Sequence, residues 1–195
     1  MPDDTYLPAL WGKVLIETLG VWIGEHNVDA IVDDAVSVRP AFNPDDPLRR
    51  TLPLHDFAEL QSAMRRRMSA PRTVQILTVA GGRVFNILSE GRGVRMPRIL
   101  GVMMGSLADH VTNGLTYYSD YLSAISDQTA AVEQDGSGWV WRLHPYPLLD
   151  SAIRGAFEVG LVQQMTAHTT DGDPLEVTVE RQRGTALELF IHRPT

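Results

Sequence analysis

The apolar residues of this chain change period at Asp127, and that change limits the folds open to it. Up to residue 122 they recur at helical spacing. Leu10, Trp11, Val14, Leu15, Thr18, Leu19 and Trp22 make one face of a helix over 7–22, and a shorter helix follows over 28–36. His55 or Asp56 can cap a helix carrying Phe57, Leu60, Met64 and Met68. Val74, Leu77, Gly81, Phe85 and Leu88 form a stripe from Pro71 to Ser89, and Pro97 opens a long helix to Leu122. Between these, Pro40, Pro44, Pro47 and Pro53 make 39–53 a loop, because proline breaks helix interiors and central strands alike. Beyond Asp127 the period becomes two. A strand over 128–134, a turn at Asp135-Gly136-Ser137-Gly138 and the alternation of Trp139, Trp141 and Leu143 form one hairpin. A helix over 149–166 buries Ile153, Phe157 and Leu161. Leu175, Val177 and Val179 then turn through Gln182-Arg183-Gly184 into Leu187, Leu189 and Ile191, with Val179 opposite Leu187. The fold class is α+β: N-terminal helices packed on a small antiparallel sheet built by hairpin–helix–hairpin. It is read as one domain over 1–195, mainly helical over 1–122 and ββαββ over 123–195.

Composition excludes several function classes. Seventeen Lys and Arg against 24 Asp and Glu give a net charge of −7, which disfavours nucleic-acid binding. No cysteine is present, so there is no disulfide, thiolate-held zinc or Cys nucleophile, and a cytoplasmic setting is expected. The first ten residues, MPDDTYLPAL, are acidic before they are apolar, the reverse of a secretory signal, and no apolar run reaches the ~18 residues of a membrane span.

No catalytic constellation is visible. The six histidines are scattered, and none pairs at i, i+4 on a helix with a flanking Glu. Ser106 lacks the second glycine of a nucleophile elbow and falls within the long helix. Asp109 and His110 are adjacent and point about 100° apart on a helix. Arg65, Arg66 and Arg67 read as a solvated helix end favoured by the dipole. Neither Gly81-Gly82 nor Gly91-Arg92-Gly93 has dinucleotide spacing, but Gly81-Gly82 costs about 1 kcal/mol per glycine inside a helix, so another element should pack closely there. The apolar surplus points elsewhere. Methionine and aromatic side chains line sites that accept apolar guests, and here they concentrate on two helices and the first hairpin. The candidate ligand-binding residues are Phe85, Met103, Met104, Leu107, Tyr118, Trp141 and Phe157.

Several short segments resemble the 4-vinyl-reductase-like domain, a family related in fold to vesicle-tethering subunits of the TRAPP type and to haem nitric-oxide sensors. They are Ile125-Ser126-Asp127-Gln128, Glu133 with Trp139-Val140-Trp141, the run from Glu158 to Gln164, Gly184 with Leu189-Phe190-Ile191, and the helix start from Leu54 to Gln61. The resemblance implies a small-molecule or hydrocarbon-binding module. Where many relatives carry metal-binding cysteines, this chain has His144, Glu180 and Glu188. A hard-metal site of those three is chemically conceivable, but they read as surface groups, and no metal is expected. No nicotinamide or flavin motif is present, so the vinyl-reducing activity behind the family's name is not carried over, and no cofactor is expected.

The function this favours is a small hydrophobic-molecule-binding module, a sensor or carrier, whose partner is a small apolar or aromatic molecule. One alternative is an enzyme or accessory factor of tetrapyrrole or bacteriochlorophyll metabolism; another is a protein-interaction subunit. A homodimer is expected, because Trp11, Leu15, Leu19 and Trp22 give the first helix more apolar surface than a sheet edge covers.

Overall fold

The computed structural model describes residues 5–35, 46–90, 106–170 and 172–193. In chain order these form β1 (Tyr6–Pro8), α1 (Ala9–Ile23), α2 (Glu25–Ala35), β2 (Arg50–Pro53), α3 (Leu54–Arg67), α4 (Ala70–Glu90), α5 (Leu107–Ile125), β3 (Thr129–Asp135), β4 (Gly138–His144), α6 (Ala156–Thr169), β5 (Val177–Arg183) and β6 (Ala186–His192). The α+β class and its order, helices first and hairpin–helix–hairpin after, match the reading from periodicity. Among the described residues no helix is long and apolar enough to cross a membrane.

The sheet is antiparallel throughout, in the order β3-β4-β6-β5. Its inner face presents Trp139, Trp141 and Leu143 beside Leu187, Leu189 and Ile191, all buried. Both indoles find polar partners on α5: Trp139 Nε1 donates to Thr112 Oγ1 at 2.8 Å and Trp141 Nε1 to Ser119 Oγ at 3.0 Å. That satisfies two donors whose burial would otherwise be costly.

The second hairpin corrects the expected register. Val179 faces Leu189 and Val177 faces Ile191, not Leu187 and Leu189. The turn closes between Arg183 and Ala186 around Gly184, whose φ is +57°, and an irregularity between Val179 and Arg181 absorbs one extra residue. A two-residue slip keeps every side chain on its face, which is why alternation alone could not separate the two registers.

Other boundaries also moved. Residues 6–8 and 50–53 are strands, not helix and loop: Tyr6 pairs with Pro53 and Leu7 with Leu52. This ribbon is short and joins distant segments, so no local period announces it. Asp127 ties it to the C-terminal half, accepting from the Tyr6 N–H at 2.9 Å and from Arg50 Nη1 at 2.8 Å. Of the helix expected over 97–122, residues 97–105 lie outside the described residues; α5 starts at Leu107, where Ser106 has extended backbone (φ −75°, ψ 163°) and closes a capping box with Asp109. The expected helix over 149–166 starts only at Ala156, because Gly155 is left-handed at φ +70°. The basic run at the end of α3 is held by ion pairs: Arg65 to Asp150, Arg66 to Glu59 and Arg67 to Asp34.

Two further expectations meet the packing. The close partner anticipated at Gly81-Gly82 is α6. A Cβ on Gly81 would lie 1.9 Å from the Phe157 carbonyl oxygen, and one on Gly160 would lie 1.9 Å from that of Thr78. The apolar face of α1 is covered from within: Trp11, Leu15 and Leu19 are buried and Trp22 packs against the same core. The surface argument for a homodimer therefore does not hold, since the chain itself supplies the cover.

Candidate functional site

Where α6 begins, the helix carries a carboxylate into the core. Glu158 stands one position beyond Phe157 and shares a stripe with Val162 and Met165, both buried. It is itself 6% exposed. The Tyr146 hydroxyl donates to Glu158 Oε2 at 3.2 Å, and the Gly155 N–H donates to the Tyr146 oxygen at 2.9 Å. The turn that starts the helix thus also orients the phenol. Burial raises the Glu158 carboxyl to about 7, and its hydrogen bonds only partly offset that. Burial likewise pushes the Tyr146 hydroxyl well up, with the nearby Glu158 charge acting in the same direction.

Two small cavities meet at this carboxyl, each of about 10 Å³, room for about one water. The first lies toward β1 and α3, bounded by Leu7, Leu54, Phe57, Gln61, Tyr146 and Pro147. The second lies toward the sheet and α5, bounded by Leu122, Ser126, Trp141, Leu143, Phe157 and Leu161. Trp11, Gln128 and Glu158 border both. Gln61 Oε1 is buried without a hydrogen-bond partner. Nearby, Gln128 Nε2 donates to the Pro145 carbonyl at 2.7 Å and Ser126 Oγ to that of Leu122 at 2.8 Å.

Of the residues singled out from sequence, Trp141 and Phe157 line the second cavity. Phe85 and Tyr118 meet edge to face at 4.9 Å, buried in the core beside the His168 ring. Leu107, in the first turn of α5, is 46% exposed. Met103 and Met104 lie outside the described residues. Sequence reasoning missed Trp11, Gln61, Gln128, Tyr146 and Glu158 as a group. A signal existed for two of them: Gln61 interrupts the stripe Leu54, Phe57, Met64, and Glu158 the stripe Val162, Met165, so each is a polar group on an apolar face.

His144, Glu180 and Glu188 are engaged separately. Glu188 is buried and bridges Arg142, at 2.9 Å, and Arg181. Those guanidinium groups hold its carboxyl below the usual range, Arg181 most strongly. His144 Nε2 lies 2.9 Å from Thr185 Oγ1. Among the described residues no three His, Asp or Glu side chains gather as metal ligands.

No protein-family model matches the sequence, and no curated protein matches it. Solved structures do match, over nearly the whole chain. The Fe(II) unliganded H-NOX protein from K. algicida superposes with a TM-score of 0.64 at 12% identity, covering 97% of each chain. An IWP-051-bound H-NOX from Shewanella woodyi gives 0.54 at 14% identity, covering 95% of this chain and 94% of its own. An oxygen-binding H-NOX domain related to soluble guanylate cyclases gives 0.50 at 12% identity, with 92% and 91% covered. The fold is that of H-NOX domains. The resemblance to the 4-vinyl-reductase-like family is overturned. The residues that carried it do general work in a ββαββ unit: Trp139, Trp141, Leu189 and Ile191 face the core, Gly160 admits a neighbouring helix and Ser126 ends α5. Such a pattern follows from the architecture and does not single out a family within it.

Proposed function

We propose that this chain is a small-molecule-binding module, a sensor or carrier, that receives its ligand inside the fold beside Glu158. The observation that supports it is the pair of buried polar groups, Gln61 Oε1 and the Glu158 carboxyl, facing cavities in an otherwise apolar interior. Leaving a buried acceptor unpartnered costs about 1–3 kcal/mol, a penalty a ligand able to donate would relieve. Trp141 and Phe157 give the site its apolar wall.

Two of these structural neighbours are Fe(II) proteins, one unliganded and one with CO, and a third is an oxygen complex. The cavities beside Glu158 do not fit a haem. The buried residues of α5 are Val111, Gly114, Leu115, Tyr118, Ser119 and Leu122, and the half-buried His110 on the same helix has its Nε2 buried without a partner. A Cβ on Gly114 would already lie 2.1 Å from Thr169 Cγ2, and α4 touches α6 backbone to backbone. A large planar ligand needs roughly 300 Å³ or more, against about 10 Å³ in each of the two cavities at Glu158.

The test is native mass spectrometry of the purified protein together with thermal melts against a panel running from benzene-sized apolar molecules to small polar ones. A retained mass, or a saturable rise in Tm that Glu158→Leu abolishes, is the expected result. The close α4–α6 contact favours a second reading, a protein-interaction subunit whose interior is filled by side chains. That reading takes over if no mass is retained and nothing in the panel raises Tm.

A further inference from the structure

We propose that the crevice between Gln61 and Glu158 binds a small nitrogen cation bearing N–H donors, an ammonium ion or a small primary amine. The inference rests on the small-molecule-binding reading above and names the ligand class for the same site. Its basis is an inventory of unused hydrogen-bonding capacity. The Tyr146 hydroxyl, Gln128 Nε2, Ser126 Oγ and the Trp141 indole all donate within the protein. Among the acceptors, Gln61 Oε1 has no partner, while the Glu158 carboxyl receives the Tyr146 hydroxyl at Oε2 and a backbone hydrogen bond at its own position. An occupant that donates satisfies the unpartnered Gln61 Oε1.

Charge points the same way. The side chains bordering the two cavities come from β1, α1, α3, α5, β4, α6 and the segments at Gln128 and Tyr146-Pro147, and none of them is a cation. Tyr146 is the only other titratable group among them, with Arg154 near enough to the phenol to favour its charged form slightly. A buried carboxyl with no counter-ion is completed by a cation that brings its own donors. Trp11 borders both cavities, and an indole face attracts such a cation. Room for about one water on each side restricts the guest to on the order of one or two non-hydrogen atoms.

The pH dependence follows. The protonated Glu158 carboxyl offers a guest cation no charge, so uptake strengthens as pH rises through about 7. Bound cation in turn draws the carboxyl toward its charged form.

The experiment measures Tm at pH 8 and pH 6 in ammonium chloride, methylammonium chloride, tetramethylammonium chloride and sodium chloride at matched ionic strength. Tetramethylammonium carries the charge without an N–H. A saturable rise in Tm is expected with ammonium or methylammonium only, larger at pH 8, and weakened at least tenfold in apparent affinity by Glu158→Gln and by Gln61→Met. Should Glu158→Gln fail to fold, Gln61→Met carries the comparison. Equal shifts in all four salts, or shifts that survive both substitutions, overturn the inference and leave water as the occupant. If these salts fail while another small molecule raises Tm through Glu158, only the ligand class is wrong. If nothing does, the binding-module reading falls with it.

Discussion

The carbonyl oxygen of Phe157 on α6 lies 1.9 Å from where a Cβ on Gly81 of α4 would stand. The two helix backbones touch there, and Gly160 repeats the arrangement against Thr78. A single methyl group at either position must push the helices apart, since backbone cannot rotate away as a side chain can. This reverses what an open pocket beside Gly81 would imply, namely tolerance of a larger residue.

Gly81→Ala and Gly160→Ala should each destabilise the protein by about 1–3 kcal/mol, although alanine alone favours a helix by about 1 kcal/mol. Gly20→Ala is the control. Its Cβ would meet only Val28 Cγ2, at 3.9 Å, so that variant should be neutral or more stable. Urea unfolding of the three variants checks the opposite signs.

Glu158 makes stability depend on pH. Its folded carboxyl is raised to about 7 from an ordinary value of 4.5, so between those values the unfolded chain releases a proton that the folded chain keeps. Stability contributed by this group therefore falls as pH rises from about 4.5 to about 7 and is level above, a loss of roughly 3 kcal/mol. Glu158→Gln should remove that slope. The quantity to measure is the difference in unfolding free energy between parent and variant at pH 5 and pH 8.

Glu188 should behave in the opposite sense. Its carboxyl is held low by Arg181 and Arg142, so its contribution is present at neutral pH and is lost as pH falls through its lowered value. Glu188→Ala should cost about 1–3 kcal/mol at pH 7 by leaving two guanidinium groups without their shared acceptor. Because both oxygens are engaged, adding zinc or EDTA should leave Tm unchanged. A metal-dependent melt lost in Glu188→Ala would contradict this.

Ser119→Ala leaves the Trp141 indole N–H without its acceptor in a fully buried position. A loss of about 1–3 kcal/mol is expected. Thr112→Val, which does the same to Trp139, should cost a comparable amount. Denaturant midpoints of the two single variants and the double variant measure this, and the losses should add if the two bonds act independently.

The sequence by itself determined the kinds of element, their order and the face each one buries, because a helix or strand imposes its period on neighbouring residues. Hence Trp139, Trp141, Leu187 and Leu189 were legible as one sheet face, and Gly81-Gly82 as a place of close approach. The cap at Ser106 was also written locally, in Ser106 and Asp109, but the apolar stripe running across it masked the signal. Tertiary structure decided what depends on residues far apart in the chain. The ribbon joins Leu7 to Leu52. The register of the last hairpin rests on one absorbed residue near Glu180 that alternation cannot detect. The candidate site draws Trp11, Gln61, Gln128, Tyr146 and Glu158 from five separate segments. A glutamine or glutamate on an apolar stripe can be solvated at an edge or buried without a partner, and nothing in its local spacing distinguishes the two. Only the neighbours brought in by folding remove the water, leave Gln61 Oε1 unpartnered and raise the Glu158 carboxyl to about 7.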